Sequence, residues 1–322
     1  MYLGVVNVDI TVQEEWKRRF HGNKHVEAKY IPKFPASYER EYRRMISELM
    51  RSAIMDSLEK HLPELMSVIS EVDSSQRFDG KNSRKKANKE SRKLQRFEQL
   101  DNTIVRFKII FDEIEKDMKS AYGLFGLSKK LNDIAGATER FSKSEWKKVV
   151  NKTLGVNILD DYYQGDFYQK ALAEWIEANV GLIESIPAEF LTEFKDTIYQ
   201  GYISGNTMTS LSKQIQERYS VSKSKSRLLA RDQVAKLNAQ ITQHQQRNVG
   251  CNEYKWKTAG DGARVRKDHR ELHNKIFSWD DPPIVDKRSG RRAHPGEDYQ
   301  CRCVAIPVFD LEKMASGIMT AA

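Results

Sequence analysis

The chain has 322 residues with 31% charged and 39% hydrophobic side chains, a composition typical of a soluble protein with large helical surfaces. No stretch approaches the roughly 18 apolar residues of a membrane span. The N-terminus lacks the basic region of a signal peptide. Three cysteines, an odd number, do not suit a secreted disulfide scaffold. We therefore expect a soluble intracellular protein without membrane contact. Its net charge of +9 favours nucleic acid or an acidic protein surface as a partner. The alternative is that the charge serves solubility alone.

Residues 1–36 mix short apolar and polar pieces and end in a stretch that contains Pro32 and Pro35. Because the residue before a proline is biased away from the helix, this stretch is predicted to be extended. We interpret residues 1–36 as an N-terminal arm, which either packs on a partner or frays.

Residues 37–160 are predicted to be mainly helical. Apolar side chains recur at three- and four-residue spacing over residues 37–72 and again over residues 97–122, which places them on one face of each helix. The two stretches together predict a long helical hairpin.

A strongly basic segment, residues 81–96, lies near the predicted tip of this hairpin. It contains eight lysines and arginines against one acid, Glu90, and its one large apolar residue is Leu94. Such a segment favours phosphate contact, because each neutralised phosphate releases a counterion; the alternative is a charged, exposed helix between two buried ones. The candidate nucleic-acid-binding residues are Arg84, Lys85, Lys86, Lys89, Arg92 and Lys93.

Residues 161–250 are predicted to form a compact series of helices. Ser185 and Pro187 are typical of a helix start. Ser220 or Ser222 is predicted to cap a longer helix, and Gly250 is predicted to end it.

Residues 251–310 predict a small α+β unit, followed by a tail over residues 311–322. Large apolar and polar residues alternate over 254–258, which indicates a strand, and residues 276–279 and 304–308 indicate two more. A short helix is predicted between them. The predicted fold class is therefore mainly α, with N-terminal and central helices and a small C-terminal α+β unit.

The α+β unit also concentrates metal-binding residue types. Imidazole and thiolate groups are the ligands of tetrahedral zinc sites, and His269, His294, Cys301 and Cys303 are the candidate ligands of a structural zinc. Their spacing is not that of a common zinc ribbon or finger, and a disulfide across so short a loop would be strained. The alternative is a set of buried cysteines and hydrogen-bonded histidines without metal.

The same unit offers groups for catalysis. A Cys–His pair supports nucleophilic catalysis, and a histidine with Arg264 or Arg266 on a phosphate supports RNA cleavage. No helix-borne His-Glu pair, glycine-rich phosphate loop or paired-carboxylate motif accompanies them. We therefore expect no enzyme activity and no catalytic residue; the alternative is a nuclease-like or ADP-ribosyltransferase-like enzyme that uses these histidines and arginines.

The end of the chain contains a series of motif residues, preceded by a helix that reads Ala-Arg-Asp-Gln over residues 230–233. These motif residues are Trp256, Asp261, Arg264, Arg266, His269, Pro295, Cys301 and Cys303. The order of these residues resembles the Mu F-like phage head morphogenesis proteins, also called minor capsid or minor head proteins. The resemblance covers about residues 165–308, and no motif covers residues 1–160.

The resemblance implies a phage or prophage virion protein present in few copies inside the head. It implies the portal protein as partner, with the scaffold or major capsid protein and packaged DNA as further partners, and a role in head assembly, DNA packaging or genome delivery. The expected location is the head interior or portal vertex, and the host cytoplasm during assembly. Some relatives carry a toxin domain beyond this motif, and we expect none here.

Overall fold

The structure is a computed structural model that describes residues 10–79, 89–156, 166–203, 208–259 and 265–314. Its helices are α1 (Ile10–Arg19), α2 (Ala36–Met50), a π-helical turn (Arg51–Asp56), α3 (Ser57–Asp79), α4 (Lys89–Phe125), α5 (Leu127–Leu154), α6 (Asp166–Ile203), α7 (Met208–Asn248) and α8 (Lys267–Leu272). Its strands are β1 (His25–Glu27), β2 (Glu253–Lys257), β3 (Ile276–Ser278), β4 (Ile284–Asp286), β5 (Arg291–Arg292) and β6 (Val304–Asp310). The predicted fold class, mainly α with a small C-terminal α+β unit, is confirmed.

The chain divides into two compact units, each made of segments that are distant in sequence. One unit, which we call the sheet unit, comprises Met1–Arg43, Ser128–Asn179 and Leu228–Ala322. The other, the hairpin unit, comprises Arg44–Leu127 and Val180–Arg227. The five-part domain division drawn from the sequence remains a prediction.

The hairpin unit is built on α3 and α4, which pack against each other. Asp117 on α4 contacts two residues of α3. Its Oδ2 accepts a hydrogen bond from Lys60 Nζ at 2.6 Å and lies 2.8 Å from Nε2 of His61. Aromatic rings fill its core: Phe111 and Phe194 meet edge to face with 5.9 Å between ring centroids. The predicted helical hairpin therefore has its counterpart in α3 and α4, and the connection between them, residues 80–88, lies outside the described residues.

The sheet unit contains a four-stranded antiparallel sheet in the order β1-β6-β2-β3. Strand β1 comes from the stretch predicted as an N-terminal arm, with Val26 opposite Phe309. Trp16 in the same stretch is buried, and its Nε1 donates to the Leu154 carbonyl at 2.9 Å. The described part of the arm is therefore an edge strand and a packed helix of this unit, a role that the sequence did not predict.

A buried cluster of aromatic and small side chains includes residues from both sheets: from β2 and β6 of the four-stranded sheet and from β4 of the two-stranded sheet. Gln246 on α7 holds this cluster in two places. Its Nε2 donates to the Ala305 carbonyl at 2.9 Å, and its Oε1 accepts from Trp279 Nε1 at 3.2 Å. The cluster comprises Tyr254, Trp256, Trp279, Val285, Ala293, Cys301, Cys303 and Ala305.

Within the described ranges, no helix combines the length and the apolar character needed to cross a bilayer.

Candidate functional site

Three of the four predicted zinc ligands come together in the sheet unit. His269 lies on α8, and Cys301 and Cys303 lie in the segment that leads into β6. All three are buried, with 2%, 3% and 6% of their surface exposed. His269 is wedged against Trp256, whose ring it meets edge to face at 5.5 Å. The fold thus brings His269 together with two cysteines that follow it by 32 and 34 residues.

The donor atoms of these residues converge. Nδ1 of His269 lies 3.6 Å from Sγ of Cys301 and 3.7 Å from Sγ of Cys303. One ligand atom of each residue lies within 4.8 Å of the other two. The imidazole nitrogen therefore faces both sulfur atoms at nearly equal distance.

The other ring nitrogen of His269 is held by a buried carboxylate that the sequence reading missed. Nε2 lies 3.0 Å from Oδ2 of Asp298, whose side chain is fully buried. Arg291 Nε donates to Oδ1 of Asp298 at 2.9 Å, and Nη1 of Arg266 lies 2.8 Å from Oδ2 of Asp298. Asp298 therefore fixes the ring orientation of His269 while two arginines balance its charge.

The segment around Asp298 is itself positioned by α7, through the Ala-Arg-Asp-Gln stretch noted in the sequence. Asp232 Oδ1 accepts a hydrogen bond from the backbone N–H of Gln300 at 2.9 Å. Gln300 has a φ of 53°, which places it in the left-handed region, and this bond helps to hold that turn. Asp232 thus helps to present Cys301 toward His269.

The surroundings favour a thiolate at Cys301. A hydrogen bond from the Cys303 thiol, and then the neighbouring His269, lower the pKa of Cys301 well below its usual value despite burial. The backbone N–H groups of Gly296 and Cys303 each donate to Cys301 Sγ at 3.4 Å. The same bond to Cys301, together with burial, raises the pKa of Cys303. Burial alone lowers the pKa of His269, but its contact with Cys301 outweighs this and raises the pKa overall.

His294, the fourth predicted ligand, does not join this group. Its Nδ1 lies 2.9 Å from the hydroxyl of Tyr254, and its ring packs 4.8 Å from that of Trp279. Burial lowers its pKa. His294 is therefore a hydrogen-bonded histidine of the buried cluster, one of the two roles that the sequence left open.

The remaining predicted residues are placed as follows. Arg266 pairs with Asp298 and donates to the Tyr299 carbonyl at 2.5 Å, and Pro295 is buried beside Gly296. Asp261 and Arg264 lie outside the described residues. So do Arg84, Lys85 and Lys86 of the basic segment, whereas Lys89, Arg92 and Lys93 lie on α4 with side chains outside the description.

The arrangement of Cys301, His269 and Asp298 suits two kinds of chemistry. Two sulfurs and one nitrogen around a common point are a ligand set for a soft or borderline divalent metal. A thiolate, an imidazole and a carboxylate in a row are also the order of a nucleophile, a base and its orienting group. The sulfur of Cys303 is almost as close to the imidazole as that of Cys301. A metal site uses both sulfur atoms, whereas a nucleophile and its base need only one.

The comparisons with known proteins concern the part of the chain that holds this site. Residues 192–306 match the family model of Phage Mu protein F like protein, which confirms the resemblance over that stretch. An uncharacterized protein of Haemophilus influenzae is 36% identical over 132 residues, which are 41% of this chain and 28% of that protein. The chain thus matches less than a third of that relative's length. No solved structure matches the chain.

Proposed function

We propose that this chain is a minor head protein of a phage or prophage, assembled at the portal vertex and needed for head assembly, DNA packaging or genome delivery. The observation that carries the proposal is the match of residues 192–306 to the Mu protein F family model. The role is structural, not catalytic. Arg266, one of the two arginines considered for the phosphate of an RNA-cleaving enzyme, is engaged by Asp298 and by the Tyr299 carbonyl.

A virion protein needs surfaces for other proteins, and the hairpin unit offers one on α4. Val105 and Ile109 are 55% and 53% exposed. They are one helical turn apart and therefore lie on the same face of α4. Exposed apolar residues of this kind suit contact with the portal protein or another head component.

We expect heads purified from the encoding phage to contain this protein in far fewer copies than the major capsid protein, as quantitative mass spectrometry would measure. A nonsense mutation in its gene is expected to reduce infectious particles to background, and supply of the protein in trans to restore them.

Co-purification with the portal protein of the same phage is expected to weaken at least tenfold in the double variant Val105→Lys, Ile109→Lys. Ile284→Lys, which changes an exposed apolar residue of the sheet unit, is the matched control. Heads that form normally and lack the protein would contradict the proposal.

The basic segment, residues 81–96, is proposed to contact packaged DNA without sequence preference. Replacing Lys85, Lys86, Lys89, Arg92 and Lys93 with glutamine is expected to flatten the dependence of log Kobs on log salt concentration by up to about 4–5 units, because each lost phosphate contact removes roughly 0.9. Fluorescence anisotropy with a short duplex at several salt concentrations measures the slope. An unchanged slope would rule out this contact. The charge-matched control replaces five other lysines, namely Lys129, Lys170, Lys213, Lys223 and Lys267.

A further inference from the structure

We propose that His269, Cys301 and Cys303 bind one zinc ion, with Asp298 as a positioning residue and with His294 outside the ligand set. The proposal concerns the sheet unit itself and does not depend on the function proposed above. It changes the ligand set expected from the sequence, because only three of those four residues converge.

The first argument is geometric. In a tetrahedral site with Zn–S bonds of about 2.3 Å and Zn–N bonds of about 2.0–2.1 Å, nitrogen and sulfur ligands lie roughly 3.6 Å apart. Nδ1 of His269 lies 3.6 Å from one sulfur and 3.7 Å from the other. An N–H proton shared between two sulfur atoms makes a bent, weaker hydrogen bond to each, whereas an ion between the three atoms contacts all of them. The equal distances therefore favour a shared cation over a hydrogen bond.

The second argument is the surroundings of the ligands. A metal-binding histidine commonly donates its other ring N–H to a carboxylate, which fixes the tautomer and the ring orientation. Asp298 stands in that position, 3.0 Å from Nε2 of His269, and is itself held by Arg266 and Arg291. Nδ1 is thereby left as the lone-pair nitrogen that faces the sulfurs. This is the tautomer that a metal requires.

The third argument concerns the sulfur atoms. Two backbone N–H groups, those of Gly296 and Cys303, donate to Cys301 Sγ. Donors directed at sulfur stabilise a thiolate, the form that binds metal. Cys301 is 3% exposed, and a thiolate buried to this extent needs a compensating positive charge. A zinc ion supplies that charge at the point where the three residues meet.

Zinc fits this ligand set better than magnesium or calcium, which take oxygen ligands. Two thiolates and one imidazole occupy three tetrahedral positions, and a water molecule completes the site. The ion would join α8 to the segment before β6. Because metal binding of this kind stabilises the folded state, the ion is expected to raise the stability of the sheet unit.

The test uses the full chain, purified without a histidine tag or chelating resin, in the presence of a thiol reductant. Elemental analysis is expected to find about one zinc per chain in the wild type, and none in Cys301→Ser, Cys303→Ser or His269→Ala. Cys251→Ser and His294→Gln are the matched controls, since Cys251 and His294 are buried in the same unit outside the ligand set; both are expected to keep the ion. Loss of zinc in His294→Gln, with helix content unchanged, would contradict the proposed ligands.

A second measurement on the wild type does not depend on whether the variants fold. Replacement of zinc by Co²⁺ is expected to give the visible absorption of a tetrahedral site together with thiolate-to-metal charge-transfer bands. Asp298→Asn is expected to bind the ion about 10–100-fold more weakly in competition with a chromophoric chelator, because Asp298 orients His269 without contacting the ion itself. A reduced wild-type protein that binds neither ion, and whose Cys301 is alkylated rapidly by iodoacetamide, would overturn the proposal in favour of a nucleophilic cysteine.

Discussion

Replacing Asp298 with asparagine is expected to lower the free energy of unfolding of the sheet unit by about 3 kcal/mol, at the lower end of the range for breaking a buried ion pair. The carboxylate is fully buried and contacts Arg266, Arg291 and His269, so the replacement removes the negative charge and one of the two acceptor oxygens that these three groups share. The value lies at the lower end because the side chains of Arg266 and Arg291 are 43% and 34% exposed and can turn to water.

Urea denaturation followed by tryptophan fluorescence measures this loss, since Trp256 and Trp279 lie in the buried cluster beside the site. Asp281→Asn is the matched control: Asp281 also pairs with an arginine, Arg292, but its side chain is 78% exposed. Exposed pairs contribute little, so the control is expected to unfold as the wild type does. Equal midpoints for the two variants would mean that Asp298 does not organise the site.

Replacing Gly296 with alanine is expected to lower the free energy of unfolding by about 2–5 kcal/mol. Gly296 has a φ of 90°, where a residue with a Cβ atom costs roughly 1–2 kcal/mol. An added Cβ would also lie 3.0 Å from Cβ of Ala239 and 3.4 Å from the Ala235 carbonyl oxygen on α7. Overpacking of this kind costs about 1–3 kcal/mol, so the two effects add.

Gly290→Ala separates the two effects, because Gly290 has a φ of 70° but no atom within 4 Å of an added Cβ. This variant is expected to show the backbone cost alone, about 1–2 kcal/mol. The same urea titration compares both variants, and an unchanged m-value keeps the comparison one of stability. A loss at Gly296 no larger than that at Gly290 would mean that α7 shifts away without cost.

Helical periodicity was the most reliable signal in the sequence. Of the apolar side chains predicted on one side of the helix over residues 97–122, Ile110, Ile114 and Met118 are buried on α4, whereas Val105 and Ile109 are exposed. Helix α4 ends at Phe125, and the next residue, Gly126, has a φ of 67°. These features are local, since spacing along a helix and the conformational freedom of glycine depend on few neighbours.

Helix starts inferred from serines were less reliable. Ser185 was interpreted as a capping residue, but it lies within α6, where its hydroxyl donates to the Leu182 carbonyl at 2.9 Å. The prediction that Ser220 or Ser222 caps a helix start is also wrong: both lie within α7, where the carbonyl of Ser222 accepts a hydrogen bond from the Ser226 hydroxyl at 2.9 Å. A serine hydroxyl either caps the start of a helix or donates to a backbone carbonyl in the preceding turn of the same helix. The choice depends on whether the apolar face continues, as it does on α6 from Ile186 to Phe190.

The candidate site was predictable in composition but not in geometry. The two cysteines and His269 were chosen for their ligand chemistry, and the fold brings them together. Nothing in the spacing distinguished His269 from His294, because the choice depends on the orientation of α8 against the sheet. Asp298 gave no signal, since a single aspartate after Glu297 is typical of a surface turn. Its importance comes from Arg266 and Arg291, which the fold alone places around it.

The pairing of β1 with β6 has a consequence for how the sheet unit forms during synthesis. Strand β1 ends at Glu27, which lies opposite Val308 of β6, so 308 − 27 = 281 residues must be added before the pair exists. At about 5–20 residues per second, translation takes roughly 14–56 s to cover that distance. The helices between them contain mostly local contacts and can fold during this interval. The sheet closes last, once the chain has left the ribosome far enough to bring β6 back to β1.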